Sequence, residues 1–98
     1  MEATMAISTN EQVINSFLNG RPAKAGSLST DGTSLYSYRL EIARHYGGKP
    51  MVWDYTATGG AFQSTTTSQH VGLIKRQVPT ENVMLVEFAH KIGIIRFI

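Results

Sequence analysis

The sequence predicts a small α+β domain, in which an antiparallel β-meander of about four or five strands is accompanied by two helices. Three observations predict it: helical spacing of apolar residues near the N-terminus, glycine-rich turns between short β-type segments in the middle, and a hydroxyl-rich run before a second helical pattern. With 98 residues, 42% of them hydrophobic, the chain can bury one modest core. No repeat or linker divides it, so residues 1–98 are expected to form a single domain.

The first helix is predicted from about Asn10 to Asn19. Ser8 and Thr9 are both suitable N-caps, and Gly20 favours an end to the helix. A proline, Pro22, follows in what is expected to be a connector. Four large apolar residues share one face of the helix: Val13, Ile14, Phe17 and Leu18.

The middle of the chain predicts strands joined by tight turns. Asp31-Gly32 is typical of a type I′ hairpin turn, because both residues tolerate a positive φ. A long central strand is predicted from Tyr36 to Ile42, with its even-numbered residues facing the core. Glycine pairs at 47–48 and 59–60 then separate a third strand over Met51–Thr56 and a short fourth strand over residues 61–64.

The last third of the chain predicts a second helix and an ambiguous C-terminus. A helix over about residues 69–77 is indicated by Val71, Ile74 and Val78, and Pro79 ends it. Periodicity does not separate strand from helix over residues 83–98, and we favour strands at 83–88 and 92–97. Five apolar residues near the end are expected to be ordered and buried, in the protein's own sheet or at a subunit interface: Ile92, Ile94, Ile95, Phe97 and Ile98.

Composition excludes several kinds of protein. The chain has no cysteine, which rules out disulfides and thiolate metal sites and fits a reducing cytoplasm. No apolar run approaches the roughly 18 residues that span a bilayer, and residues 1–10 do not resemble a signal peptide, so we expect a soluble cytoplasmic protein. Its three histidines lack metal-site spacing, and neither a metal nor a cofactor is predicted.

The net charge is only +2, but its distribution points to a binding site for anions. The segment from Tyr55 to Thr80 contains no acidic residue, and its hydroxyl run precedes a helix N-terminus, where phosphate groups are attracted. The alternative is that these hydroxyls only cap the helix. The residues predicted to bind nucleic acid are Arg44, Thr66, Thr67, Ser68, His70, Lys75 and Arg76.

Two further arrangements remain open. Several aromatic residues lie close in sequence to Arg39 and Arg44 and would suit stacking of single-stranded bases, although alternation favours a core position for some of them: Tyr36, Tyr38, Tyr46, Trp53 and Tyr55. A metal-independent ribonuclease would need a histidine, a hydroxyl and a cation together. Its candidates are Arg44, His45, His70 and Lys75.

Four segments together resemble small proteins encoded by bacteriophages and related mobile elements. They are Leu35-Tyr36-Ser37-Tyr38, Ile42-Ala43, Asp54-Tyr55-Thr56-Ala57, and Phe62-Gln63-Ser64-Thr65-Thr66-Thr67-Ser68-Gln69-His70-Val71. The resemblance spans residues 28–73 and implies a phage genome and a bacterial cytoplasm as the setting. That family has no assigned activity, so the resemblance carries over no catalytic or binding residue.

The sequence therefore favours a phage-type accessory protein that binds without catalysing a reaction. Nucleic acid is the preferred target, through its phosphate backbone. A host protein that the module inhibits or modulates is the alternative, a ribonuclease is third, and a homo-oligomer formed through the C-terminal apolar segment is compatible with each.

Overall fold

Six strands form one sheet in the order in which they occur along the chain, in a computed structural model that describes residues 9–58 and 60–95. Strands β1 to β5 are antiparallel neighbours, and β6 pairs with β5 in parallel. The α+β class with an N-terminal helix and a second helix after the meander is confirmed. The elements are α1 (Asn10–Leu18), β1 (Pro22–Ala25), β2 (Leu28–Asp31), β3 (Ser34–Ser37), β4 (Leu40–Tyr46), β5 (Lys49–Trp53), α2 (Thr65–Lys75), a 3₁₀ turn (Thr80–Asn82), β6 (Val83–Met84) and α3 (Val86–Lys91).

Helix α1 begins with a capping box. The Thr9 hydroxyl accepts from the Gln12 amide (3.1 Å), and the Gln12 side chain accepts from the Thr9 amide (2.7 Å). Gly20, with φ +74°, follows the end of the helix as the sequence predicts. The connector expected at Pro22 is instead the start of β1, an edge strand, where the missing proline N–H is tolerated.

The β2–β3 hairpin is present where the sequence predicts it, but its turn is different. Asp31 belongs to β2, and the two loop residues are Gly32 and Thr33, of which only Gly32 has a positive φ (+97°). The Asp31 carboxylate accepts from the amides of Thr33 (2.9 Å) and Ser34 (2.8 Å) and thereby closes the turn. These hydrogen bonds lower the pKa of Asp31.

The predicted single strand over Tyr36–Ile42 is wrong. The chain turns at Tyr38 and Arg39, so this segment belongs to two strands, β3 and β4. Leu35 pairs with Ala43 whereas Tyr36 pairs with Glu41, which makes Ile42 the extra residue of a β-bulge. Because the bulge and the turn both break the alternation, the even-numbered residues do not share one buried face.

The predicted third strand shifts, and the predicted fourth strand is absent. Gly47 and Gly48, both with positive φ, form the turn into β5, which covers Lys49–Trp53 instead of Met51–Thr56. Residues 61–64 are irregular and lead into α2. The place beside β5 is occupied by β6, where Val83 pairs with Val52.

Helix α2 begins four residues earlier than predicted. Ser64 is the N-cap, and its hydroxyl accepts from the Thr67 amide (3.1 Å). The hydroxyl residues at 65–68 therefore lie inside the helix instead of preceding it. The helix ends at Lys75 and packs with α1 against one face of the sheet.

The prediction of strands over residues 83–88 and 92–97 is wrong for most of the described residues 83–95. Only Val83 and Met84 form a strand, and α3 follows, because Val86 and Ala89 lie on one helical face that is buried against the core. Ile94 and Ile95 pack against the core as expected, whereas Ile92 is 49% exposed. Phe97 and Ile98 lie outside the described residues. Within residues 9–58 and 60–95, no helix has the length and apolar character needed to cross a membrane.

Candidate functional site

Arg39 lies where two surface clefts meet. The sheet cleft, about 630 Å³, lies between β4 and residues 93–95, and the turn cleft, about 400 Å³, lies between the β3–β4 turn and the start of α2. Arg39 and Leu40 line both of them. The two clefts therefore form one continuous surface, which passes over the end of the β3–β4 hairpin.

The β3–β4 turn presents an aromatic ring and a cation to solvent. Ser37 pairs with Leu40, which leaves Tyr38 and Arg39 as a two-residue loop. Tyr38 has φ +59° and is the one non-glycine residue with positive φ in the described part of the chain, and its side chain is 59% exposed. Its amide donates to the Ser27 carbonyl (2.6 Å), which holds the strained residue in place.

Arg39 is available to bind an anion. It is exposed, and it forms no ion pair with any residue in the ranges 9–58 and 60–95. A free guanidinium of this kind can pair with a phosphate through two parallel hydrogen bonds.

The floor of the sheet cleft is a stacked aromatic and cationic layer. The Arg44 guanidinium carbon lies 5.6 Å from the centre of the buried Trp53 ring and 6.0 Å from that of Tyr46, which is 52% exposed. Arg44 also donates to the Ile94 carbonyl. These contacts hold the Arg44 guanidinium in place. Its role is therefore to position the exposed Tyr46 ring at the cleft, and it is not a free charge for an anion.

Glu41 is the acidic residue of the sheet cleft, and its carboxylate is engaged. One oxygen accepts from Trp53 Nε1 (3.1 Å) and lies 3.6 Å from Arg44 Nε, and the other accepts from the Ser34 hydroxyl (2.7 Å). Burial and, to a smaller extent, the charge of Glu41 raise the pKa of Tyr55. The Tyr55 phenol is therefore neutral at ordinary pH, and the paired Glu41 adds little repulsion toward an anion.

The turn cleft contains the N-terminal end of α2. No acidic residue lies in the first turn of this 11-residue helix. The Thr65 and Thr66 amides are first-turn donors that the helix itself leaves without an acceptor, and the helix dipole adds a partial positive charge. Thr66 lines the cleft beside the turn that carries Arg39. The arrangement favours a phosphate at this point.

A chain of hydroxyls lines the turn cleft and ends on a buried histidine. Ser64 Oγ donates to Thr67 Oγ1 (3.1 Å), which lies 3.0 Å from Ser37 Oγ, and Ser37 Oγ lies 2.7 Å from His70 Nδ1. Thr67 is 3% and His70 4% exposed. Burial lowers the pKa of His70, so the ring is neutral and joins α2 to β3.

No protein-family model, curated protein or solved structure matches this chain. The geometry of the described residues is therefore what bears on function. It provides a surface with two exposed tyrosines, one free arginine and one helix N-terminus. Within residues 9–58 and 60–95, no group of three histidine, cysteine, aspartate or glutamate side chains is placed to hold a metal ion.

The structure separates the seven residues predicted to bind nucleic acid. Arg44, Thr66 and Thr67 line the joined clefts, although Thr67 is largely buried, and His70 is buried in the hydroxyl chain. Lys75 pairs with the buried Asp54 carboxylate at 3.3 Å. The other two, Ser68 and Arg76, line a separate groove over the outer face of α2, which shares Thr65 with the turn cleft.

The sequence analysis considers Tyr38 and Arg39 for base stacking but misses the turn that they form, since alternation placed both in a strand and favoured a core position for Tyr38. One signal was present. An uninterrupted strand from Leu35 to Tyr46 would have 12 residues, which is longer than the roughly 3 to 10 of most strands. A turn in the middle of that segment was therefore to be expected.

The buried position of His70 predicts a specific pH dependence of stability. Since burial lowers the pKa of this ring, the unfolded chain binds a proton more readily than the folded protein. The free energy of unfolding should thus fall as the pH drops below about 6.5, by about 1.4 kcal/mol for each unit by which the pKa is lowered. In a His70→Asn variant, urea unfolding at several pH values should show this dependence reduced. Parallel curves for the two proteins would contradict the assignment.

Proposed function

We propose that this protein is a non-catalytic module that binds single-stranded nucleic acid over the joined clefts. The observation that carries the proposal is the position of Arg39, exposed and without an ion pair among the described residues, at the point where the two clefts meet. A phosphate at Arg39 would also reach the first turn of α2. Bases on either side would stack on the exposed rings of Tyr38 and Tyr46.

The combination of groups supports nucleic acid over a simple anion. A phosphate alone needs donors and positive charge, which Arg39 and the α2 N-terminus supply. Exposed aromatic rings flank these donors on both sides, with Tyr38 beside the turn cleft and Tyr46 in the sheet cleft. Alternating rings and cations along a groove are the pattern by which proteins hold single strands without a sequence preference.

The ribonuclease candidate is less well supported, because both of its histidines have structural contacts. His45 donates through Nε2 to the Phe17 carbonyl (2.6 Å) and its ring lies 4.6 Å from the Phe17 ring. His70 is buried on Ser37, whose side chain is fully buried. A general base must reach the proton that it removes from the substrate, which these positions do not favour.

The setting of the proposal is the bacterial cytoplasm during phage infection. The resemblance to phage and mobile-element proteins supplies the phage origin. The cysteine-free composition fits a reducing compartment. A module that inhibits or modulates a host protein is the alternative in the same setting, and the binding experiment below distinguishes the two.

The first test is the affinity for fluorescently labelled single-stranded RNA and DNA, measured by anisotropy over a series of salt concentrations. Replacing Arg39 with alanine should weaken binding roughly 10-fold, because a charge-assisted hydrogen bond to phosphate contributes about 1.5 kcal/mol. The slope of log K against log salt should also become shallower by about one unit, the effect of one lost phosphate contact.

Arg21→Ala is the matched control. It removes the same charged group from an exposed residue just before β1, the edge strand that lies three places from β4 in the sheet, and Arg21 lines neither cleft. It should leave affinity and salt slope nearly unchanged. A wild-type protein that binds no single strand at about 50 mM salt would remove the proposal and favour the host-protein alternative.

Lys75 is a poor choice for such a test. Removing it leaves the Asp54 carboxylate, whose side chain is 9% exposed, without its cation. The variant Lys75→Ala should lose stability by more than an exposed ion pair would suggest, because an unpaired buried charge remains. Arg76→Ala leaves the Lys75–Asp54 pair intact, and its effect on binding would show separately whether the groove over the outer face of α2 takes part.

A further inference from the structure

Helix α3 presents an apolar face to solvent that the proposed nucleic-acid surface does not use. Leu85, Phe88 and Ile92 are 53%, 52% and 49% exposed. They are three and four residues apart, so they lie on one side of the helix. The other large exposed apolar side chains of the described residues are all aromatic and lie elsewhere: Tyr38, Tyr46 and Phe62.

The helix needs contacts of this kind. With six residues it is far shorter than the roughly 12 that make an isolated helix even marginally stable. Its inner side contributes Val86 and Ala89 to the core, and its N-cap, Leu85, forms no side-chain capping bond. Stability must therefore come from packing, and a row of three large apolar residues left in water gives none.

The charges beside the apolar face are arranged for self-association. Glu87 and Lys91 are exposed, lie one turn apart, and share the flank of the helix next to Phe88. A two-fold axis near Phe88 would place a second α3 antiparallel to the first. In that arrangement the N-terminal end of one α3 lies next to the C-terminal end of the other. Glu87 of each chain would therefore lie beside Lys91 of its partner.

We propose that the protein forms a homodimer through antiparallel packing of two α3 helices. The apolar row of one chain would pack against the same row of the other, with Phe88 at the centre and Leu85 opposite Ile92. Two Glu87–Lys91 pairs would border this contact and fix its antiparallel direction. A second copy is the occupant that fits, because the order of charges on α3 is complementary to itself in that direction.

The test uses charge reversal on the full chain. In Glu87→Lys each α3 carries two lysines at these sites, and in Lys91→Glu each carries two glutamates. Both variants should dimerise at least 10-fold more weakly than wild type in sedimentation equilibrium, since two attractive pairs become repulsive. An equimolar mixture should recover a dimer, because every facing pair is again of opposite charge.

Several outcomes would overturn the dimer. A wild type that stays monomeric at concentrations up to about 1 mM, a dissociation constant that neither reversal changes, or a mixture that stays monomeric would each contradict it. Phe88→Ser provides an independent arm, since it removes the central ring and should abolish the dimer. Circular dichroism and a cooperative melt for each variant would verify that the loss of mass is not caused by unfolding.

Discussion

Replacing Gly32 with alanine should destabilise the domain by about 3 kcal/mol, which is a large part of the stability of a small protein. Gly32 has φ +97°, where a side chain costs roughly 1–2 kcal/mol. A Cβ at this position would also lie 2.7 Å from the Gly20 carbonyl oxygen and 3.1 Å from its carbon. Both atoms are backbone, so the contact is relieved only by moving the loop after α1 away from the hairpin. Urea denaturation monitored by Trp53 fluorescence measures the loss.

Gly26→Ala is the matched control for this substitution. Gly26 also has a positive φ (+59°) in a turn between two strands, but a Cβ there meets nothing within 4 Å. The variant should therefore show only the conformational cost, roughly 1–2 kcal/mol. Equal losses at the two positions would mean that the close approach of Gly20 to the hairpin contributes nothing.

The parts of the fold that were predicted correctly depend on local interactions. Helix α1 has its cap, its apolar face and its glycine end within twelve residues, Thr9 to Gly20. The β2–β3 hairpin is specified by Asp31 and Gly32, whose interactions reach only three residues along the chain. The details of the turn differ because the aspartate acts through its side chain instead of its own positive φ.

The parts that were missed depend on contacts between distant residues. Tyrosine is uncommon in turns, so the residue type at position 38 does not predict a positive φ. The turn is held by distant contacts, namely the hydrogen bond to the Ser27 carbonyl and the pairing of β3 with β4. At the C-terminus, a short apolar run is compatible with either strand or helix. Pairing of β6 with β5 uses only two residues, and α3 takes the rest.

Only part of the candidate site could be predicted from the sequence, because contacts between distant residues also decide which of its side chains are accessible. The hydroxyl run correctly marks a helix N-terminus, but the cap is Ser64, and the helix therefore turns Thr67 and His70 inward toward Ser37 on β3. Lys75 is neutralised by Asp54, which is 21 residues away. A count of charged residues does not show which of them are paired in the fold. The absence of acidic residues from Tyr55 to Thr80 therefore led to too high an expectation of the positive charge available to bind an anion.

Replacing Tyr38 with glycine should change stability and binding in opposite directions. Tyrosine at φ +59° is strained by roughly 1–2 kcal/mol, and glycine relieves this strain. Glycine also gives the unfolded chain more conformational freedom, which cancels about 0.5–1 kcal/mol of the stabilisation gained by relieving the strain. The net gain of about 0.5–1 kcal/mol should raise the melting temperature by about 4 °C. Affinity for single-stranded nucleic acid should fall about 5- to 150-fold, because a stacked base contributes roughly 1–3 kcal/mol.

Two variants separate the loss of the ring from the relief of strain. Tyr38→Ala removes the ring but keeps a side chain that is strained at positive φ, so it should weaken binding as much as the glycine variant does without the gain in stability. Tyr46→Ser removes the ring at the other end of the surface, within β4, where no strain is stored, and should weaken binding without any gain in stability. A Tyr38→Gly protein that binds as tightly as wild type would show that the exposed ring has no part in binding. In that case the strain at Tyr38 would need a different functional explanation, since a bulky residue persists in this conformation only where the surrounding structure enforces it.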